Sequence, residues 1–125
     1  MGKRAGKSFR DTCVIYASKE DDCWIAHSLH TDQIGTGDCV LGALVDLLRA
    51  YEQLLTTAAE EEGIEIRREA PPKIQRLAER AYPMPQELCE IAYKIVHGDW
   101  PEDIEVEAKS PKKHPLKTEL QPVPA

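Results

Sequence analysis

The chain has 125 residues, of which 42% are hydrophobic and 30% are charged, and its formal net charge is −6 at pH 7. These values are typical of one folded domain, and the negative charge opposes nonspecific binding to the phosphates of nucleic acids. The sequence contains neither a secretory signal nor a run of about 20 apolar residues, so we expect a cytoplasmic protein that does not span a membrane.

Both ends of the chain are polar and lack a periodic apolar pattern. Residues 1–8 are mainly small and basic, and residues 99–125 combine prolines with lysines and glutamates. Such a composition does not favour a packed core. We therefore expect a disordered N-terminus, a single α+β domain over residues 9–98, and a flexible tail over residues 99–125.

Three short strands are predicted before the first long helix. The first, over Phe9–Ser18, contains the β-favouring run Cys13-Val14-Ile15-Tyr16. A charged tetrapeptide then separates it from a second strand over residues 23–29, which is a spacing typical of an antiparallel hairpin. A third strand is predicted over residues 33–36.

Alternation along the second strand divides its side chains between two faces. One face carries Ile25, His27 and Leu29, and the other carries Trp24, Ala26 and Ser28. Because His27 shares its face with two aliphatic residues, it is predicted to be structural rather than catalytic. His30 and Asp32 have a spacing that suits a metal ion, but two ligands do not make a site. Their purpose is left open by the sequence.

A glycine-bracketed corner leads into the most regular helix of the chain. Gly35 and Gly37 permit either a positive φ or a close backbone approach at this corner. Asp38 is predicted to cap the helix, since its carboxylate can accept hydrogen bonds from the first-turn amides. From Val40, apolar residues recur at helical spacing over about five turns, and Gly63 is predicted to end the helix.

The next part of the chain is predicted to contain a fourth strand and two further helices. The strand is expected at residues 64–66, where isoleucine and glutamate alternate. Pro72 and Pro85 are each placed to open a helix, and the second helix should stop at Gly98. We expect this helical extension, residues 73–98, to serve packing or dimerisation, because its proline-broken turn is not typical of a helix-turn-helix.

Four cysteines are present, and none forms a Cys-x-x-Cys pair. Without an export signal they are predicted to be free thiols that pack as small apolar residues. The two that lie on adjacent predicted strands leave a disulfide or a shared metal open as an alternative. The four positions are Cys13, Cys23, Cys39 and Cys89.

One ordered pattern extends over residues 13–66. It consists of Trp24-Ile25-Ala26-His27-Ser28-Leu29, Asp32, Gly35-Thr36-Gly37-Asp38 and Ala43-Leu44. In this order and spacing the chain resembles the HicB-like antitoxin family. The resemblance implies a reduced ribonuclease-H-like β-β-β-α-β module with the helix on one sheet face. Family members commonly have threonine at the position of Cys39 and glutamate at that of Gly42, and this chain lacks that capping box.

The resemblance also implies a function. A HicB-like protein would bind and mask a small basic HicA-type ribonuclease toxin, unless it is an orphan member that has no toxin. The net negative charge is compatible with a basic partner. Because such antitoxins often carry a C-terminal DNA-binding module, a DNA-binding autoregulator is one alternative, although residues 67–98 show no convincing version of that module.

The second alternative is an enzyme. A metal-dependent ribonuclease-H-like nuclease needs several carboxylates that converge on two metal ions. The only carboxylates that could be assembled are Asp11, Asp32, Asp38 and Glu52. Of these, Asp38 already has a capping role and Glu52 faces the solvent. We therefore predict no enzyme activity, no cofactor, and no catalytic or metal-binding residue.

Four residues are candidates for a partner or oligomer interface. Tyr16 and Trp24 would need cover if the long helix takes the opposite face of the sheet, and His30 and Asp32 have no assigned role. We therefore predict a homodimer or a higher homo-oligomer, formed through the uncovered sheet face or through an exposed strand edge.

Overall fold

The computed structural model describes residues 9–60, 68–98 and 104–111. Within them the chain forms a five-stranded mixed sheet and three helices, so the predicted α+β class is confirmed. The elements in chain order are β1 (Phe9–Ser18), β2 (Cys23–Ser28), β3 (Ile34–Gly37), α1 (Val40–Glu60), α2 (Pro72–Glu79), β4 (Tyr82–Pro83), α3 (Gln86–His97) and β5 (Ile104–Ser110).

The sheet has the strand order β3-β2-β1-β5-β4. Its first three strands form the antiparallel meander that the sequence predicts, with Cys13 opposite Ser28 and Ser18 opposite Cys23. β5 then runs parallel to β1, and β4 pairs antiparallel with the end of β5. β1 is therefore the central strand of the sheet.

The flexible tail predicted over residues 99–125 is wrong where β5 lies. Val106 and Ala108 of this strand are only 2% and 3% exposed, because β5 pairs with β1 inside the sheet. Charged residues alternate with them, so the strand has only one apolar side. The Pro-, Lys- and Glu-rich composition of residues 99–125 as a whole hides this short alternation. The rest of the predicted tail, the predicted N-terminal segment, the helix stop at Gly63 and the predicted strand at residues 64–66 lie outside the described residues.

Helices cover both faces of the sheet. Alternate residues of β1 point in opposite directions, so Cys13 and Ile15 face α1 and α3, while Val14 faces α2. The HicB-like expectation of one helix-covered face therefore describes only half of the arrangement. The larger core, on the α1 side, is formed by Cys13, Ile15, Ala26, Val40, Ala43, Leu44, Val45, Leu47, Leu48, Tyr51, Leu55, Leu88, Cys89, Ala92, Tyr93, Val106 and Ala108.

The glycines of β3 allow the backbone of α1 to lie directly against the strand. A Cβ atom at Gly35 would be 2.3 Å from Leu47 N, and one at Gly37 would be 2.5 Å from Ala43 N. Neither glycine has a positive φ. Of the two predicted reasons for glycine at this corner, close backbone approach is therefore the one that holds.

The prediction that Asp38 caps α1 is wrong. The helix begins at Val40, and Cys39 Sγ accepts a hydrogen bond from Gly42 N at 3.3 Å. Cys39 O also accepts the first helical bond, from Ala43 N at 3.0 Å. Cys39 thus occupies the N-cap position, where its sulfur replaces the usual side-chain oxygen as acceptor.

The two later helices form where the prolines predict them, but they are not neighbours. Ile74 and Ala78 of α2 pack against Val14 on one sheet face, whereas Leu88 and Ala92 of α3 pack with α1 on the other. This arrangement is not a helix-turn-helix. The short strand β4 lies in the proline-containing break, and Gly98, at φ 89°, follows the last residue of α3 as predicted.

The four cysteines are free. Cys13 and Cys23 do lie on adjacent strands, but Cys13 is opposite Ser28 and Cys23 is opposite Ser18, so the two thiols are far apart in register. The described helices include no segment with the length and apolar character of a membrane span.

Candidate functional site

A buried carboxylate on the central strand collects hydrogen bonds from three other parts of the chain. Asp11 is 4% exposed. Its Oδ1 accepts from Thr12 N at 2.8 Å and from His30 N at 3.1 Å. Its Oδ2 accepts from Ser28 Oγ at 2.5 Å and from Tyr51 Oη. Each carboxylate oxygen offers two lone pairs, so these four bonds use the full acceptor capacity of Asp11.

The network continues into the loop between β2 and β3. Ser28 Oγ accepts from Thr31 N at 2.9 Å. Thr31 Oγ1 lies 2.7 Å from Ser28 Oγ and 3.1 Å from Gln33 Oε1, and its single proton serves one of them at a time. Gln33 Nε2 donates to Ala50 O of α1 at 3.2 Å. The loop that leads into β3 is therefore fixed to both the sheet and α1.

Burial has a large effect on the acid–base chemistry of this network. Burial raises the pKa of Asp11 above its ordinary value, although hydrogen bonds from Ser28, Tyr51 and Thr12 and the nearby His30 oppose the shift. Burial also raises the pKa of Tyr51 well above its ordinary value, and the neighbouring Cys13 and Asp11 add to this effect. Tyr51 therefore stays protonated and remains a donor to Asp11.

An open cleft of about 240 Å³ lies beside Asp11 at the start of β1 and β5. An ion pair joins Arg10 Nε and Glu105 Oε1 across it at 3.1 Å, with both side chains mostly exposed. Solvent screens such a pair, so it contributes little stability. The cleft is lined by Arg10, Asp11, Thr12, His30, Glu105 and Glu107.

His27 and Asp32 form a second polar pair, on the α2 side of the sheet. His27 Nε2 lies 2.7 Å from Asp32 Oδ1, and the side chains are 7% and 29% exposed. His27 Nδ1 is buried and has no hydrogen-bond partner among the described residues. This burial is consistent with the structural role predicted for His27. The contact with its ring positions the carboxylate of Asp32, which is partly exposed to solvent.

The candidate pair His30 and Asp32 is not brought together. His30 Nδ1 lies 3.6 Å from Glu69 Oε2, and Asp32 bonds to His27 instead. Within the described ranges, no three histidine, cysteine, aspartate or glutamate side chains form a group that could hold a metal ion. The four carboxylates that a nuclease would require, Asp11, Asp32, Asp38 and Glu52, accordingly do not converge.

Tyr16 and Trp24 lie on opposite faces of the sheet. The two residues therefore cannot both need cover on the face opposite α1, as the sequence predicts. Tyr16 is opposite Ile25, whereas Trp24 is opposite Ala17, one position along the hairpin. A shift of one residue reverses the face. Trp24 consequently packs against the α1-side core, and Tyr16 packs beside α2.

Among the described residues, an exposed part of the sheet lies on the α2 side of β2 and β3. Ile34 is 51% exposed, and its strand neighbour Thr36 is also exposed. Ile25 and Tyr16, which are half-buried, continue this surface because Ile25 is opposite both Tyr16 and Thr36. We call Tyr16, Ile25, Ile34 and Thr36 the Ile34 patch. One feature of the sequence points to this patch. Gly35 and Gly37 lie against α1, so alternation along β3 places Ile34 on the opposite face.

The two outermost strands are poorly suited to pair with an additional strand. In β3, Thr36 N already donates to Asp46 Oδ2 of α1 at 2.9 Å. The other outermost strand, β4, has only two residues, and Pro83 has no amide hydrogen to donate. Blocked amides, short strands and prolines are common protections of sheet edges. At these strands the predicted edge-to-edge contact is therefore less favourable than contact through the Ile34 patch.

Comparison of the chain with protein-family models, with curated proteins and with solved structures found no match.

Proposed function

We propose that this protein is an antitoxin-like interaction module that binds and masks a small basic ribonuclease toxin through the Ile34 patch. The observation that carries the proposal is Ile34, an apolar side chain of β3 that is 51% exposed. A rigid strand that presents apolar side chains beside polar ones is typical of protein-binding surfaces.

The chemistry of the buried carboxylate supports binding over catalysis. Asp11 is the most deeply buried of the carboxylates that a nuclease would use, and all four of its acceptor positions are occupied by protein donors. A metal ion would have to displace these donors. Asp11 therefore acts as a structural hub that fixes the loop before β3, and so the position of Ile34.

Charge supports a basic partner. The chain has a net charge of −6, which attracts a basic protein at long range and accelerates its association. The HicB-like pattern around Trp24 and Gly35 supplies the specific expectation of a HicA-type toxin. Masking would consist of covering the basic RNA-binding surface of that toxin.

Co-expression tests the proposal. The product of each short adjacent reading frame is expressed alone and together with this chain, and growth is measured. We expect a small basic product to arrest growth and the wild-type chain to restore it. If no adjacent product is toxic, the chain is an orphan, and if a toxic product is not neutralised, the proposed function is wrong.

Two substitutions locate the contact. Ile34 and Ile95 are 51% and 52% exposed, but Ile95 lies on α3, away from the Ile34 patch. Ile34→Lys and Ile95→Lys change the net charge equally, so a difference between them reports local contact. We expect Ile34→Lys to abolish rescue and Ile95→Lys to preserve it. Equal effects would exclude the Ile34 patch as the contact surface.

A further inference from the structure

The polar pair beside the Ile34 patch is placed to bind a cation. His27 is directly opposite Ile34 in the sheet, and Asp32 bonds to the ring of His27. The carboxylate of Asp32 therefore stands next to the most exposed apolar side chain of the patch. Asp32 is 29% exposed, so a side chain from outside can reach it.

Asp32 has acceptor capacity that the described residues do not use. In the part of the chain that the structure describes, its side chain makes one contact, between Oδ1 and His27 Nε2 at 2.7 Å. An ionised carboxylate can accept about four hydrogen bonds. Three acceptor positions, including both on Oδ2, are thus left for a ligand. This is the reverse of Asp11, whose acceptors are all occupied.

The pair is also held rigidly. Asp32 has φ 55°, a left-handed conformation that non-glycine residues adopt less readily. His27 is 5% exposed, so the packing around its ring restricts the orientations that the ring can adopt. Two backbone bonds, from Arg68 N to His30 O at 2.8 Å and from Ala70 N to Leu29 O at 2.9 Å, fix the loop that carries Asp32.

Acidic groups lie at both ends of the Ile34 patch. Asp32 is at the end formed by Ile34. At the other end, burial raises the pKa of the Tyr16 phenol, and the charge of Asp21 adds to that shift. Asp21 is positioned by Ser18, whose Oγ donates to Asp21 Oδ2 at 3.0 Å. An apolar centre with acidic ends complements a lysine or arginine, whose aliphatic stem packs on apolar surface while its charged group pairs with a carboxylate.

We propose that Asp32, positioned by His27, is the receptor for a basic side chain of the partner, whose aliphatic stem lies across Ile34. The inference rests on the proposed function, since it names the partner chemistry that the Ile34 patch recognises. Asp32 binds this side chain directly, and His27 is a positioning residue.

A peptide titration tests the inference without any toxin. The full chain, labelled with ¹⁵N, is titrated with acetyl-Ala-Arg-Leu-Ala-amide and with the same peptide carrying citrulline, the neutral analogue of arginine. We expect amide shifts around Asp32 and Ile34, and an affinity for the arginine peptide about fivefold higher, because an exposed charge pair contributes modestly. Shifts confined to other residues, no shifts at all, or equal affinities would overturn the inference.

A matched pair of variants adds a second arm. Asp32→Asn removes the charge but keeps an oxygen that can accept from His27 Nε2, and Asp38→Asn removes the same charge from an exposed residue outside the patch. We expect the first to lower affinity for the arginine peptide to that of the citrulline peptide, and the second to leave it unchanged. Equal affinity of wild type and Asp32→Asn would overturn the inference.

The outcomes separate the two proposals. If the arginine peptide binds at Asp32 but a toxic adjacent product is not neutralised, the cation receptor stands and the antitoxin function fails. If wild type and Asp32→Asn neutralise a toxin equally well, the antitoxin function stands and the receptor fails. Should Asp32→Asn alter the fold, seen as widespread shifts in its free spectrum, the citrulline comparison on the wild-type chain still decides.

Discussion

Tyr51 Oη donates a hydrogen bond to Asp11 Oδ2 across the interface between α1 and β1, although the residues are 40 positions apart. Ser28 of β2 donates to the same oxygen at 2.5 Å. One buried carboxylate thereby links the long helix to β1 and β2, the first two strands of the meander. This polar cluster adds directional bonds to an otherwise apolar interface, and so fixes how α1 lies on the sheet.

Removal of the Tyr51 hydroxyl should destabilise the fold without changing its shape. Tyr51→Phe leaves one acceptor position of buried Asp11 empty, and a hydrogen bond to a charged group contributes about 1.5–3 kcal/mol. We expect a loss of about 2 kcal/mol in the free energy of unfolding, measured by urea titration with an unchanged slope. Tyr82→Phe is the control. This tyrosine is 44% exposed, so water can replace any bond its hydroxyl makes, and the change should be less than about 0.5 kcal/mol.

Asp11 should give the protein a distinctive pH dependence. Burial raises its folded-state pKa above the ordinary value of 3.8. A carboxyl of this kind stabilises the fold fully below its unfolded pKa, and the contribution is lost as the pH rises through the folded pKa. The difference in free energy of unfolding, wild type minus Asp11→Asn, should therefore be largest below about pH 4 and fall as the pH increases. A difference that grows with pH in urea titrations would show that the hydrogen bonds outweigh burial.

Local patterns in the sequence predict the parts of the fold that depend on neighbouring residues. The hairpin follows from a charged turn between two β-favouring runs, and α1 follows from an apolar stripe that begins at Val40. The faces of β2 follow from simple alternation. Each of these needs only the spacing of residues along a short stretch of chain.

The remaining parts depend on contacts between distant residues. β5 alternates apolar and charged residues, which favours a strand, but its parallel partner β1 comes from the other end of the chain and cannot be predicted from local sequence. Cys39 caps α1 because the corner places its sulfur next to Gly42 N, one residue later than Asp38. Asp11 is a hub because Tyr51 and Ser28, which are distant in sequence, both donate to it. Trp24 lies on the α1 side of the sheet and not on the face opposite α1, which depends on the relative register of β1 and β2.

The glycines around the corner should respond to alanine in opposite directions. At Gly35, a Cβ would lie 2.3 Å from Leu47 N and 2.5 Å from Ala43 O, so α1 must move away from β3. We expect Gly35→Ala to cost about 3 kcal/mol in the free energy of unfolding. At Gly42, a Cβ would meet Cys39 Sγ at 3.5 Å, which is an ordinary contact.

Gly42→Ala should therefore stabilise the protein by about 0.5–1 kcal/mol, because alanine loses less conformational entropy in a helix. Thermal unfolding of both variants checks the pair. If both changes destabilised the protein, a Cβ at Gly42 would lack the room that its distances of 3.5 Å to Cys39 Sγ and 3.6 Å to Gly37 Cα indicate.

Substitution of Val106 tests whether β5 is part of the folded core. It is 2% exposed within the α1-side core, and its neighbour Asp11 in β1 is the buried hub. Val106→Ala removes two buried carbons, and we expect a loss of about 2 kcal/mol in the free energy of unfolding. Glu107→Ala, at the adjacent exposed position, should change it by less than about 0.5 kcal/mol. In a flexible tail both substitutions would be equally silent, so urea titration of the two variants separates a core strand from the tail that the composition predicts.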